Sequence, residues 1–217
     1  MSQALRIMVL GTRNRKKRLE LEQLLAPHGL EVRTLDDYSN AMEVVEDGLS
    51  FAENAAKKAR QQAVHLNAWV LGEDSGLCVE ALDGAPGIYS ARFAGEHATD
   101  AANNEKLLDS LHDKPWERRG AYYVCHMTLS DPAGTIRADS EGICRGRIRF
   151  DASGTGGYGY DPLFEILEYH QTFGELGVAV KSVLSHRARA MRQFLPQVLS
   201  HVEGLQIIAV AGQNEQP

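Results

Sequence analysis

What the chain lacks narrows its function first. Cysteine is scarce: only Cys78, Cys125 and Cys144 occur in 217 residues, far apart and odd in number. No Cys-x-x-Cys spacing is present, which argues against a zinc site built on paired thiolates. The three read as reduced, mostly buried thiols of a cytoplasmic protein. No apolar run approaches the roughly 20 residues that a membrane-crossing helix needs. The first run, residues 6–10 (RIMVL), is also too short for the core of a secretory signal. Cations are in the minority, 23 Lys and Arg against 29 Asp and Glu. A net charge of −6 disfavours a surface for duplex nucleic acid, which needs an excess of cations on one face. It leaves room for a small phosphate ligand, which needs only a few. The Gly-x-x-x-x-Gly-Lys and Gly-x-Gly-x-x-Gly phosphate loops are both missing, as are internal repeats and low-complexity tracts.

What is present reads as a soluble α/β protein over residues 1–204, one large domain or two lobes sharing a cleft, followed by a loose tail over 205–217. Residues 6–10 form a strand, and Gly11-Thr12-Arg13-Asn14 ends it. From Arg15 to about Pro27 the apolar residues Leu19, Leu21, Leu24 and Leu25 suit a helix with one buried face. Arg13, Arg15, Lys16, Lys17 and Arg18 crowd the positive end of that helix. Such crowding is unfavourable alone and is relieved by an anion; the alternative is a solvated basic helix end. Residues 31–35 alternate as a second strand. Residues 36–48 are acidic, with Glu43, Glu46 and Asp47. Ser50 to Glu53 reads as a capping box opening a second helix.

A third strand, residues 68–71, leads to the adjacent acids Glu73 and Asp74, with a sharp turn expected at Ser75-Gly76. A second turn at Gly84-Ala85-Pro86-Gly87 carries Tyr89 and Arg92 behind it. Adjacent acids are costly at a strand end unless a cation or a proton task balances them. The stretch is therefore either a metal-and-anion site or simply an acidic turn and a hairpin. Residues 121–129 alternate and 135–150 return as one or two strands, a hairpin expected to project as its own lobe. Residues 153–162, SGTGGYGYDP, read as a shaped binding loop whose tyrosines can stack on a flat ligand. Ser185 caps a last helix with His186 and Arg187 in its first turn, a placement that opposes the helix dipole unless an anion or polar ligand is near.

Taken in order, these motifs resemble the inosine triphosphate pyrophosphatase family, which hydrolyses noncanonical purine nucleoside triphosphates. The matches are TRNRKK at 12–17 with Glu20, FAENA at 51–55 with Lys58, EDSGL at 73–77 and GAPGIYSAR at 84–92. GTGGYGYDP at 154–162, Lys181-Ser182 and Ser185-His186-Arg187 complete the set, which covers about residues 6–200. The resemblance implies an elongated mixed β-sheet flanked by helices, two lobes enclosing a nucleotide cleft, and a homodimer. It implies Mg2+-dependent conversion of ITP, dITP or XTP to the monophosphate and pyrophosphate. On the family's pattern, Thr12, Arg13, Asn14, Arg15, Lys16 and Lys17 take the triphosphate, and Lys17 and Lys58 are its main cations. Glu46 and Asp74 bind the metal, and Asp74 also accepts the proton. Ser75 contacts the substrate, Arg92 lies near the base, and Tyr158, Gly159, Tyr160, Asp161, Lys181, His186 and Arg187 bind the nucleoside. Arg13, Arg15 and Lys16 depart from the smaller residues common there, and residues 177–180 (GVAV) lack the usual charges. Modified pyrimidine nucleotides as substrates, or nucleotide binding without turnover, are the alternatives.

Overall fold

The computed structural model describes residues 5–201 and 206–208. Its spine is a mixed sheet of order β2-β1-β3-β4-β5-β6-β7. The strands are β1 (Leu5–Leu10), β2 (Leu30–Thr34), β3 (Val70–Val79), β4 (Gly120–Ser130), β5 (Ile136–Ile148), β6 (Phe164–Ile166) and β7 (Gln171–Thr172). Residues 7–10 are buried without alternation, as expected of a strand covered on both faces. Accordingly β1 pairs in parallel with β2 and, at Val9 and Leu10, with β3. From β3 onward every pairing is antiparallel. The helices are α1 (Arg15–Leu25), α2 (Phe51–Leu66), α3 (Asp100–Ser110), α4 (Val178–Leu184) and α5 (His186–Ser200).

Two expectations are corrected. The chain does not turn at Ser75-Gly76: β3 runs straight through both, with Gly76 opposite Val124 of β4. The glycine serves close approach, because a Cβ there would lie 2.4 Å from the Gly87 carbonyl oxygen and from Ser90 Oγ. The β4–β5 hairpin is likewise no separate lobe. Ten residues of β4 pair with β3, so the hairpin forms the middle of the main sheet. In the tail, residues 206–208 form a strand, β8, antiparallel to β1; residues 205 and 209–217 lie outside the described residues.

The length of β3 and β4 sets the location of the cleft. On one sheet face, Leu71, Cys125, Met127 and Leu129 join a core with α1 and α5. Further along the same face, Leu77, Val79, Ala121 and Tyr123 join a second core with Phe164 and Phe173. Between the two, β3 presents Glu73 and Ser75 to that face. The polar break in the stripe therefore falls where β1 has already ended and the β3 edge is free of a neighbouring strand. On the opposite face α2 presses so close that a Cβ on Gly72 would lie 2.1 Å from the Ala55 carbonyl oxygen.

Gly72→Ala is accordingly expected to cost about 3 kcal/mol through overpacking against α2 backbone, lowering the melting temperature by several degrees. Differential scanning calorimetry checks it.

Candidate active site

A cleft of about 310 Å³ opens beside the free edge of β3. Three walls enclose it, each brought by a different part of the chain. The first is the start of α1. Asn14 caps this helix, its side chain accepting from the amides of Lys16 and Lys17, while Thr12 Oγ1 accepts from the Asn14 amide. This fold of the loop turns Thr12, Asn14 and Lys17 into the cleft.

The second wall is β3 with α2 and the acidic loop before it. Asp74 is held at both oxygens: Lys58 Nζ donates to Oδ1 at 3.0 Å and Asn54 Nδ2 to Oδ2 at 3.3 Å. Lys58 also reaches Glu46 at 2.9 Å. One ammonium thus sits between two carboxylates contributed by distant segments. Burial opposes the Lys58 charge, but Asp74 and Glu46 outweigh it and hold the ammonium above its ordinary pKa. Burial dominates for Asp74 and lifts its pKa, with Lys58 and Lys17 pulling the other way.

The third wall is the glycine loop with α4 and α5. Lys181 Nζ lies 2.6 Å from Asp161, 3.3 Å from Glu20 and 4.2 Å from the centre of the Tyr158 ring. Arg187, 1% exposed, donates to Glu73 from Nη2 at 2.8 Å and Nε at 3.1 Å, and from Nη1 to Glu20 and to the Tyr158 hydroxyl. His186 stacks on Tyr123 with ring centres 4.7 Å apart. Burial and the neighbouring Arg187 hold its pKa well below the ordinary histidine value, so the imidazole is neutral at pH 7. Its buried Nδ1 has no hydrogen-bond partner among the described residues.

Most of the expected residues meet here. Thr12, Asn14, Lys17, Glu46, Lys58, Asp74, Ser75 and Arg92 all line the cleft, as do Tyr158, Gly159, Tyr160, Asp161, Lys181, His186 and Arg187. Three cations expected on the triphosphate do not line it, which corrects the reading of the basic loop. Arg13 is drawn outward by Asp36 at 3.2 Å and by the Ala41 carbonyl. Arg15 is an exposed first-turn residue. Lys16 stands at the rim, 3.2 Å from Asp100 and over the Tyr158 ring. The helix turn decides this, because Asn14 and Lys17 point inward and the residues between them point elsewhere.

Several residues outside the sequence-derived set belong to the site. Glu73, whose role the sequence left open, is fully buried. It collects Arg187, Lys17 at 3.6 Å and the Cys125 thiol at 3.4 Å. Glu20, which the motif at 12–17 included without a role, meets both Lys181 and Arg187. Asp100, at the start of α3, accepts the Gly159 amide at 2.9 Å, and Asn104 donates to the Gly159 carbonyl. Nothing in the sequence marked Asp100, because its partners lie more than 50 residues away.

Comparison with known proteins agrees with this fold. The model of the Ham1 family matches residues 8–197. The dITP/XTP pyrophosphatase of Rhodopirellula baltica is 58% identical over 196 residues, covering 90% of this chain and 94% of that one. The dITP/XTP pyrophosphatase of Desulforamulus reducens is 46% identical over 186 residues, covering 86% and 92%. The solved structure of a HAM1 protein from Coxiella burnetii superposes with a TM-score of 0.82 at 33% identity, covering 91% of this chain and all of that one.

Burial raises the cost of ionising Glu73, but Arg187 and Lys17 prevail and hold its pKa well below the ordinary value of 4.5. A depressed carboxyl stabilises the fold above its unfolded pKa, and that contribution is lost as the pH falls. The melting temperature is therefore expected to drop on acidification below pH 4.5, and Glu73→Gln to flatten that dependence by one proton. At pH 7 the same variant is expected to be destabilised by about 3 kcal/mol, because Arg187 loses a buried counter-ion. Thermal melts of both proteins across pH read both effects.

Proposed function

The chain belongs to the Ham1 family, and from that membership we propose that it is a hydrolase converting noncanonical purine nucleoside triphosphates (ITP, dITP and XTP) to the monophosphate and pyrophosphate. The observation that carries this reading is one cleft lined at once by Lys17, Lys58, Glu46 and Asp74 and by Tyr158, Lys181, His186 and Arg187. The first set suits a triphosphate and the second a purine.

The phosphate half works by position and charge. Lys17 and Lys58 lie where they can neutralise the departing pyrophosphate, and fixed cations of this kind carry much of the rate in phosphoryl chemistry. Asp74, held at both oxygens, orients the attacking water and takes its proton. A placed base contributes roughly 10²–10⁴-fold. Its raised pKa makes it a better proton acceptor than an exposed aspartate.

Magnesium fits the donors present. Glu46 and Asp74 offer hard oxygen ligands and already share one cation, the Lys58 ammonium. No cluster of three or more His, Cys, Asp or Glu suited to a metal occurs among the described residues. Two carboxylates plus substrate oxygens and water are what magnesium commonly accepts, so Glu46 and Asp74 would hold it. When bound, it supplies further neutralisation of phosphate charge.

Base choice rests on donors. Arg187 is permanently charged, and neutral His186 has an unpartnered buried Nδ1. A donor aimed at a 6-oxo oxygen is satisfied by hypoxanthine or xanthine and opposed by the 6-amino group of adenine. Tyr158 and Tyr160 frame the same space. The enzyme acts as a homodimer in the cytoplasm, clearing the nucleotide pool.

Incubation with ITP, dITP, XTP, ATP, GTP and dTTP is expected to release pyrophosphate from the first three at the highest kcat/KM. Orthophosphate as the product, or preference for a modified pyrimidine nucleotide, would overturn the assignment. Asp74→Asn is expected to lower kcat by roughly 10²–10⁴-fold. ITP bound tightly by wild type, with no turnover to lose, would instead mark a non-catalytic binder.

A further inference from the structure

The two carboxylates assigned to the metal come from unlike places. Asp74 lies inside a sheet strand, whereas Glu46 lies on a loop of residues 38–50 that has neither helix nor strand. A cation site needs both at a fixed separation, so some group must tie the loop to the strand. Lys58 touches both acids, but its charge is also wanted by the phosphates, so it is a poor permanent brace.

Asn54 is placed to be that brace. It is 1% exposed and stands one helical turn before Lys58 on the buried face of α2. Its Oδ1 accepts the Gly48 amide at 2.8 Å, two residues after Glu46. Its Nδ2 donates to Asp74 Oδ2 at 3.3 Å. The orientation of the amide is unambiguous, since the Gly48 N–H can only donate and a carboxylate can only accept. The helix end adds a second tie to the same loop, with Glu53 Oε2 accepting the Leu49 amide at 2.8 Å. Gly48 fits the contact closely: a Cβ there would lie 2.6 Å from Asn54 Oδ1 and 3.1 Å from the Asn54 amide nitrogen.

We propose that Asn54 is a positioning residue that sets the separation of Glu46 and Asp74, one end of its amide holding the loop and the other the strand carboxylate. This rests on the reading that those two acids hold the divalent cation. Asn54 itself touches neither metal nor substrate; it acts through the groups it holds. Outer-shell partners of this kind are worth roughly 10–100-fold in metal affinity or activity.

The test uses Asn54→Leu, of similar size but without the two hydrogen bonds, and Gly48→Ala, which disturbs the link from its loop end and substitutes no residue of α2. Mn2+ binding is measured by titration calorimetry on the full chain, beside thermal melts and the Mg2+ dependence of ITP hydrolysis. Both variants are expected to bind Mn2+ roughly 10–100-fold more weakly and to need correspondingly more Mg2+ for half-maximal rate. If Asn54→Leu does not fold, Gly48→Ala carries the measurement. Lowered melting temperature with unchanged Mn2+ affinity in the folded variant would show a merely structural role and overturn the proposal. Glu46→Gln and Asp74→Asn in the same titration separate the two levels. If they leave Mn2+ binding intact, the metal reading fails; if they abolish it while Asn54→Leu and Gly48→Ala do not weaken it, only the role of Asn54 fails.

Discussion

The buried contact between Glu73 and Arg187 is what the remainder of the site depends on. It joins the centre of β3 to the first turn of α5, across 114 residues of sequence. It does so at the polar break between two apolar cores. Desolvating both charges is expensive, and geometry plus further hydrogen bonds must repay it. The repayment comes from Lys17 and Glu20 of α1, Tyr158 of the glycine loop and Cys125 of β4. The result fixes α1, β3, the glycine loop and α5 against one another without an apolar core at that point.

Strand geometry then divides the labour of the acid pair. Neighbouring residues in a strand face opposite sides of the sheet. Glu73 therefore meets the arginine and lysine of one face, and Asp74 meets α2 and Lys58 on the other. The same alternation separates their environments: cations prevail over burial at Glu73, and burial prevails over cations at Asp74. One carboxylate is locked as a structural anion. The other is kept more basic and open to the cleft. Two adjacent residues of similar chemistry acquire different roles from a period of two.

Much of the molecule was legible in the sequence because its signals are local. Asn14 and Ser185 act as helix caps where their residue types indicate, and Ser50 bonds the Glu53 amide as a capping serine does. Half of the expected capping box is altered, since the Glu53 carboxylate takes the amide of Leu49 rather than that of Ser50. The failures have a common physical origin. Ser75-Gly76 looked like a turn because glycine permits turning, yet here it permits another segment to approach. The hairpin looked independent because its long-range pairing to β3 leaves no local trace. Arg13, Arg15 and Lys16 looked equivalent to Lys17 because charge can be read from letters, whereas direction around a helix start depends on where the cap falls.

By itself the sequence determined the elements, the ordered motifs and the chemistry available to them, since propensity, capping and charge are properties of short stretches. Tertiary structure decided which of those groups share a space. It buried Glu73 rather than solvating it, brought Asp100 to Gly159, and hung the Glu46 loop on Asn54. Such outcomes depend on contacts that span from 6 to 114 residues of sequence, and only packing of the whole sheet against its helices specifies them.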